Sequence, residues 1–343
     1  MNKTMLITPA PHIKDPDSVP KIMYSVIASL IPAGIGAVYF FGLRTLWVMA
    51  AGILAAVLTE WICEKAMKRP ATITDGSAIL TGLLVAYNVP PEVPLWLPAV
   101  GAFVGILIGK QLFGGLGYNP MNPALIGRAF LMASWPVHMT VYQTAPKFGT
   151  LSGIQMIDSI TQATPLNLFQ HAREILLHAD IHTTEEVTGA TELLYKLYSS
   201  GADQFFGRIG GCLGETSVFL LLLGAVFLMY KRIIGWKIPF SYIGTVALLT
   251  WIFGGVDGLF SGNPLFHLMT GGLMLGAFFM ATDMVTSPVT FKGRLLFGIG
   301  CGILTAVIRL WGGYPEGVSY SILLMNLTTP LLDRFTRPKK FGG

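Results

Sequence analysis

Ten predominantly apolar stretches follow one another along this chain, at about 22–41, 46–63, 76–90, 94–112, 122–136, 213–230, 238–256, 264–282, 295–312 and 318–333. A helix needs about 20 such residues, within a range of roughly 17–25, to cross the hydrocarbon core of a bilayer. No water reaches the backbone in that core, so only helices or closed barrels satisfy its polar groups. The expected fold is an all-α polytopic membrane protein of about ten transmembrane helices. Only 12% of the residues are charged, against roughly 25% in a soluble domain. The third and fifth stretches are short, bounded by Asp75-Gly76, Pro90-Pro91, Asn122-Pro123 and Pro136. Residues 1–21 carry Lys3, Lys14 and Lys21 and lack a short apolar core with a small-residue cleavage site, so no removable leader is expected.

Charge sets the expected orientation. With the N-terminus inside, sixteen of the 23 Lys and Arg residues fall in inner connections, while Arg44, Lys147, Arg173, Lys196 and Arg208 lie outside. Short inner connections are where the positive-inside rule applies best. The net charge of +5 is therefore topological, and nucleic acid is not an expected partner. Residues 1–136 are expected to form the first transmembrane half, 137–212 an extracytoplasmic loop, and 213–343 the second half. Both termini are then cytoplasmic, in a bacterial inner membrane. An odd number of spans per half inverts the second half relative to the first. A loop as long as 137–212 is rarely structureless; helices are expected near 166–181 and 190–198.

Cys63, Cys212 and Cys301 are too few and too scattered for an iron–sulfur cluster. Glu174, His178 and His182 follow at i, i+4 and i+8; a solvated helix face explains them better than a metal. No Gly-x-Gly-x-x-Gly follows a strand, so no soluble NADH site is expected here.

Polar residues at membrane depth are the functional candidates. Residues 114–123, Gly-Gly-Leu-Gly-Tyr-Asn-Pro-Met-Asn-Pro, join the fourth and fifth stretches. Two Asn-Pro pairs interrupt helical bonding, and the amides of Asn119 and Asn122 offer donors and acceptors. A ligand site and a tightly capped loop fit this equally well. Asp283 ends the eighth stretch, where it either serves a site or pairs with Lys292 or Arg294. Asp75 reads as a helix cap. These motifs lie toward the inner side and suggest one pocket. Arg128 within the fifth stretch needs a partner: a carboxylate, backbone carbonyls or a cofactor oxygen. Arg309 near the end of the ninth is read as snorkelling to the interface.

The long loop contains Asp158-Ser-Ile-Thr161-Gln-Ala-Thr164-Pro-Leu166. Local propensity favours a Ser/Thr turn closed by Pro165. The alternative is a hydroxyl presented for covalent modification. A second run, Thr188-Gly189-Ala190-Thr191, has Glu185 rather than Asp six residues before its last threonine.

These residues carry a family resemblance. The 114–124 loop, Gly-Ala-Phe-Phe-Met-Ala-Thr-Asp at 276–283 with Val-Thr-Ser-Pro at 285–288, Gly-Val-Ser-Tyr-Ser-Ile-Leu-Leu-Met-Asn at 317–326 and the 158–166 run together resemble the D subunit of the Rnf complex, the ion-translocating ferredoxin:NAD oxidoreductase. More distantly the chain is similar to the B subunit of the sodium-pumping NADH:quinone reductase. The resemblance spans nearly the whole chain. It implies an electron-relaying component of a translocase, not catalytically complete alone, coupled to Na+ or H+ passage. It implies FMN bound covalently through its phosphate to Thr164, with Asp158 and Thr161 in the motif read by a flavin transferase. Gln162 stands where Gly is commoner. It further implies a non-covalent riboflavin near Asn119, Asn122 and Asp283, with Arg128 as a further cofactor-binding candidate. The implied partners are the A, B, C, E and G subunits of the Rnf complex. Without the loop motif, a small-solute transporter, a channel or a membrane scaffold would fit the same spans.

Overall fold

The computed structural model describes residues 17–140, 142–143, 161–162, 164–215, 217–256, 258–313 and 316–337. The described chain is helical apart from a two-residue antiparallel pair, β1 (Tyr142–Gln143) and β2 (Thr161–Gln162). Three helices are long and apolar enough to cross a membrane: α1 (Val19–Phe41), α2 (Arg44–Ala66) and α14 (Phe291–Trp311). Shorter apolar helices are α3 (Ser77–Tyr87), α4 (Trp96–Ile106, continuing as a π turn to Gln111), α5 (Pro123–Ser134), α10 (Val218–Tyr230) and α11 (Lys237–Phe253). The remaining long helix is α15 (Val318–Phe335).

Two expected continuous stretches are broken. The 264–282 stretch divides into α12 (Pro264–Met269) and α13 (Leu273–Leu275), which continues as a π turn to Met280. Gly271 and Gly272 make the break at φ +69° and +65°, the left-handed region that glycine enters without strain. The 213–230 stretch becomes helical only at Val218. Its first residues instead cross the end of α3, where Leu213 N–H donates to Val89 O and Gly214 N–H to Tyr87 O at 3.1 and 2.9 Å. These bonds satisfy carbonyls that the end of α3 leaves without helical partners. A helix as short as α3 rises about 16 Å, roughly half the hydrocarbon thickness.

Glycines bring the helix backbones into contact. A Cβ on Gly82 of α3 would lie 2.5 Å from Gly52 O of α2, and one on Gly127 of α5 would lie 2.3 Å from Gly101 O of α4. Lipid is as apolar as a leucine side chain, so close packing has to hold such helices together. Gly127→Val is therefore expected to cost about 1–3 kcal/mol, the usual range for overpacking, read as a lower unfolding midpoint in detergent.

Between the halves lie α6 (Pro136–Thr140), α7 (Pro165–Leu177), α8 (Thr184–Ser199) and α9 (Gly201–Phe206). Helices α7 and α8 form a hairpin matching the two expected loop helices, with α8 starting earlier than expected. A capping box starts α8, with the Thr183 side chain accepting from Glu186 N–H and the Glu186 carboxylate accepting from Thr183 N–H. Phe169 packs against Phe266 and His267 of α12. Gln170 donates to Arg309 O and Gly312 O, and Arg173 to Leu310 O and Phe253 O. The hairpin thus caps the last carbonyls of α11 and α14 while covering the apolar end of α12.

Candidate functional site

A cavity of about 90 Å³ is lined by Asn119, Asn122 and Asp283, together with Ser77 and Lys110 and otherwise mainly apolar side chains. Three separate sequence motifs therefore share one space. Asn122 is the N-cap of α5, its oxygen accepting from Ala124 N–H at 3.0 Å. Its amide nitrogen donates to Met280 O at 3.3 Å, tying this loop to the π turn of the broken helix. Asn119 donates to Met121 O, while its side-chain oxygen is buried without a partner. Asp283 accepts from Thr286 Oγ1 and from Val285 N–H, so its own turn satisfies it rather than Lys292 or Arg294. Asp75 accepts from Ser77 N–H at 2.7 Å at the start of α3.

Beside this cavity lies an ion pair that sequence reasoning missed. Lys110 Nζ is 2.6 Å from Glu60 Oε1 and 2.6 Å from Ser77 Oγ, with the lysine 1% exposed. Glu64, one turn along α2, accepts from Thr72. Sequence position alone puts Lys110 among the connecting-loop cations; it belongs instead to the π turn ending α4 and is buried. Two glutamates four residues apart inside an apolar stretch were the available signal. Removing one partner of a buried pair leaves an uncompensated charge, which typically costs 3–5 kcal/mol. Lys110→Met is expected to lower the unfolding free energy by that amount, read as a lower unfolding midpoint. Adding Glu60→Gln should restore most of it, a double-mutant comparison that isolates the pair.

The second constellation lies beneath the α7–α8 hairpin. Thr164 is the N-cap of α7, its side chain accepting from Asn167 N–H at 3.2 Å, with Pro165 at the first helical position. Pro165 thus opens a helix, where a turn that it closes was expected. Thr164 is only 7% exposed. It opens onto a narrow cavity of about 10 Å³ whose other walls include Gly210, Gly211, Gly271, Glu215 and Glu316. Both glutamates bind Arg128, which also donates to Asn88 Oδ1. Arg128 lines neither cavity; of the partners open to it in the sequence, carboxylates are the ones found. Glu215 reaches this place because residues 212–215 cross the end of α3. A Cβ on Gly272 would lie 2.3 Å from Glu215 Oε1, so the break in the eighth stretch also makes room for that carboxylate.

Arg309 does not snorkel. It is fully buried and donates to the carbonyls of His267, Thr270, Gly271 and Glu316. The guanidinium holds the broken helix open by satisfying the carbonyls that the break releases. Helix α7 ends at Leu177, so Glu174, His178 and His182 do not share a helix face; His182 pairs with Glu186 instead. Cys212, Glu215 and Glu316 place ligand-type atoms within 4.8 Å of one another, but Arg128 compensates both carboxylates.

Thr191 lies inside α8, exposed, its hydroxyl donating to Val187 O at 2.8 Å. Asp158 lies outside the described residues. Thr161 is described through its backbone, paired with Gln143.

Residues 6–342 match the family model described as NQR2, RnfD, RnfE. The chain belongs to this family. Within the family it is 50% identical over 338 residues to the D subunit of the proton-translocating ferredoxin:NAD(+) oxidoreductase complex of Clostridium ljungdahlii, covering 98% of this chain and 96% of that one. It is 44% identical to the D subunit of the Na(+)-translocating ferredoxin:NAD(+) oxidoreductase complex of Acetobacterium woodii, covering 100% and 97%. To the D subunit of the ion-translocating oxidoreductase complex of Stutzerimonas stutzeri it is 39% identical, covering 95% and 92%. Both helical spans and relatives place this family member in a membrane.

Proposed function

We propose that this chain is the D subunit of an ion-translocating ferredoxin:NAD oxidoreductase complex in a bacterial inner membrane, bearing FMN on Thr164. The observation that carries this reading is the placement of Thr164. Its hydroxyl sits at the start of a 13-residue helix and opens onto a cavity in an otherwise membrane-embedded protein. Phosphate suits a helix N-terminus, where free N–H groups and the helix dipole favour negative charge. Thr191, buried in no cavity and bonded back along its own helix, has neither feature.

When bound, the flavins supply one-electron exchange with neighbouring centres. The chain anchors, orients and shields them. Thr164 supplies the alcohol of a phosphoester, and the tether keeps the cofactor at high local concentration. Glu215 and Glu316 wall the same cavity, and Arg128 holds both in place, acting on the cavity through them. The cavity at Asn119, Asn122 and Asp283 suits a non-covalent riboflavin: it is mainly apolar, and the unpartnered Asn119 oxygen awaits an N–H donor such as a flavin ring offers.

In this reading five helices per half form an inverted repeat, with residues 137–212 outside and both termini inside. Two observations support it. The second and fourth segments of each half, α2 with α4 and α11 with α14, pack extensively. Each fourth segment also ends on a buried cation, Lys110 or Arg309. With Thr164 holding FMN and the Asn119 cavity holding riboflavin, the redox chemistry those groups would supply would be coupled to Na+ or H+ passage. The A, B, C, E and G subunits complete the complex, and a flavin transferase matures it. Intact-mass analysis tests the anchor: the chain gains one FMN less water, mapped to the peptide holding Thr164. A gain mapped to the Thr191 peptide would reject the assignment.

A further inference from the structure

A groove of about 400 Å³ adjoins the cavity that Asn119 lines, sharing Ile233, Ile234, Thr282 and Met284 with it. Its rim carries Arg232 and Arg294, with Ser287 between α10–α11 and the turn before α14. Lys237 lies close by, its ammonium 3.9 Å from the centre of the Phe291 ring.

Among the described residues, none of Arg232, Arg294 and Lys237 forms an ion pair with a carboxylate. The nearby acids are spent on backbone: Asp333 accepts from Val289 and Thr290 N–H, and Asp283 is held by its own turn. Arg294 directs only Nε to a protein acceptor, Pro288 O at 3.0 Å. Two arginines line one groove without a salt-bridge partner among the described residues, with Lys237 beside it, an arrangement that suits an anion.

Backbone strain makes a separate argument. Arg232 sits at φ +58°, just after α10 ends. Glycine fills such a left-handed position without strain, and an arginine there is uncommon. A strained residue that ends in a groove points to a role for its side chain.

The surroundings are apolar and exposed. Trp236, Phe240, Met284, Val289 and Phe291 are all about half exposed or more beside the cations. Exposed aromatic and apolar side chains beside cations match the two parts of a phospholipid, its chains and its charged headgroup.

We propose that this groove binds an anionic phospholipid, its phosphodiester held by Arg232, Arg294 and Ser287 and its acyl chains lying along the exposed apolar side chains. This lipid site is independent of the flavin reading.

The test uses the full chain in nanodiscs of phosphatidylglycerol and phosphatidylcholine at about one to four, released for native mass spectrometry. Wild type is expected to retain phosphatidylglycerol in preference to phosphatidylcholine by about tenfold. Arg232→Gly removes the charge at a position where glycine relaxes the backbone, so the fold is kept; retention is expected to fall at least fivefold. Arg294→Gln is expected to act in the same direction. Three results overturn the proposal: equal retention of both lipids, unchanged retention in Arg232→Gly, or displacement of the lipid by millimolar inorganic phosphate, which would make this a site for free anions.

Discussion

Thr164→Ala is expected to leave a chain of near-normal abundance with no flavin fluorescence on a denaturing gel, where the wild-type chain, matured by its transferase, shows a bright band. The effect is all-or-none, because an alanine offers no oxygen for a phosphoester. The cost to the fold is small by comparison. Thr164 caps α7, and replacing a threonine cap by alanine costs about 1 kcal/mol. The membrane helices do not depend on that cap. Thr164→Ser keeps both the alcohol and a cap, so it should keep the band. Thr191→Ala, in the middle of α8, should resemble wild type. A bright band in Thr164→Ala, or its loss in Thr191→Ala, would move the flavin elsewhere.

The second large effect is on folding. Arg309→Met is expected to abolish recovery of monodisperse protein, measured by size-exclusion profile and thermal midpoint in detergent. Four backbone carbonyls converge on this guanidinium: those of His267, Thr270, Gly271 and Glu316. A buried polar group stripped of its partner costs about 1–3 kcal/mol. Four together reach roughly 4 kcal/mol at the least on the same scale, a large part of a total stability of about 5–15 kcal/mol. Arg309→Lys should recover little, because an ammonium is a point charge and lacks the planar fork that reaches several carbonyls. A variant with unchanged midpoint would show that the break in the helix holds itself open.

Both effects share a geometry. Gly271 and Gly272 break the eighth stretch, Arg309 satisfies what the break exposes, and Gly271 then walls the cavity onto which Thr164 opens. The hairpin is held from the same side, through Gln170 on Arg309 O. The cavity under the hairpin and the integrity of the second half are therefore one structural unit.

Much of the chain's character was legible in residue order alone. The membrane environment follows from long apolar stretches with few charges, since the energetics of lipid burial are local to each stretch. The hairpin helices were expected from their apolar residues. The family followed from four motifs, and Asn119, Asn122 and Asp283 were singled out because amides and carboxylates at membrane depth are rare. Residue order could not pair groups distant in the chain. Lys110 looked like a loop cation and proved to be the buried partner of Glu60, fifty residues away. Arg309 looked like a snorkelling side chain and proved to hold a broken helix. Arg128 showed its need for a partner, but Glu215 and Glu316 are brought to it only when the chain crosses the end of α3. Apolarity is a property of a segment, and the sequence by itself determined that. Which buried charge meets which counter-charge depends on how segments pack in three dimensions, and the tertiary structure alone decided that.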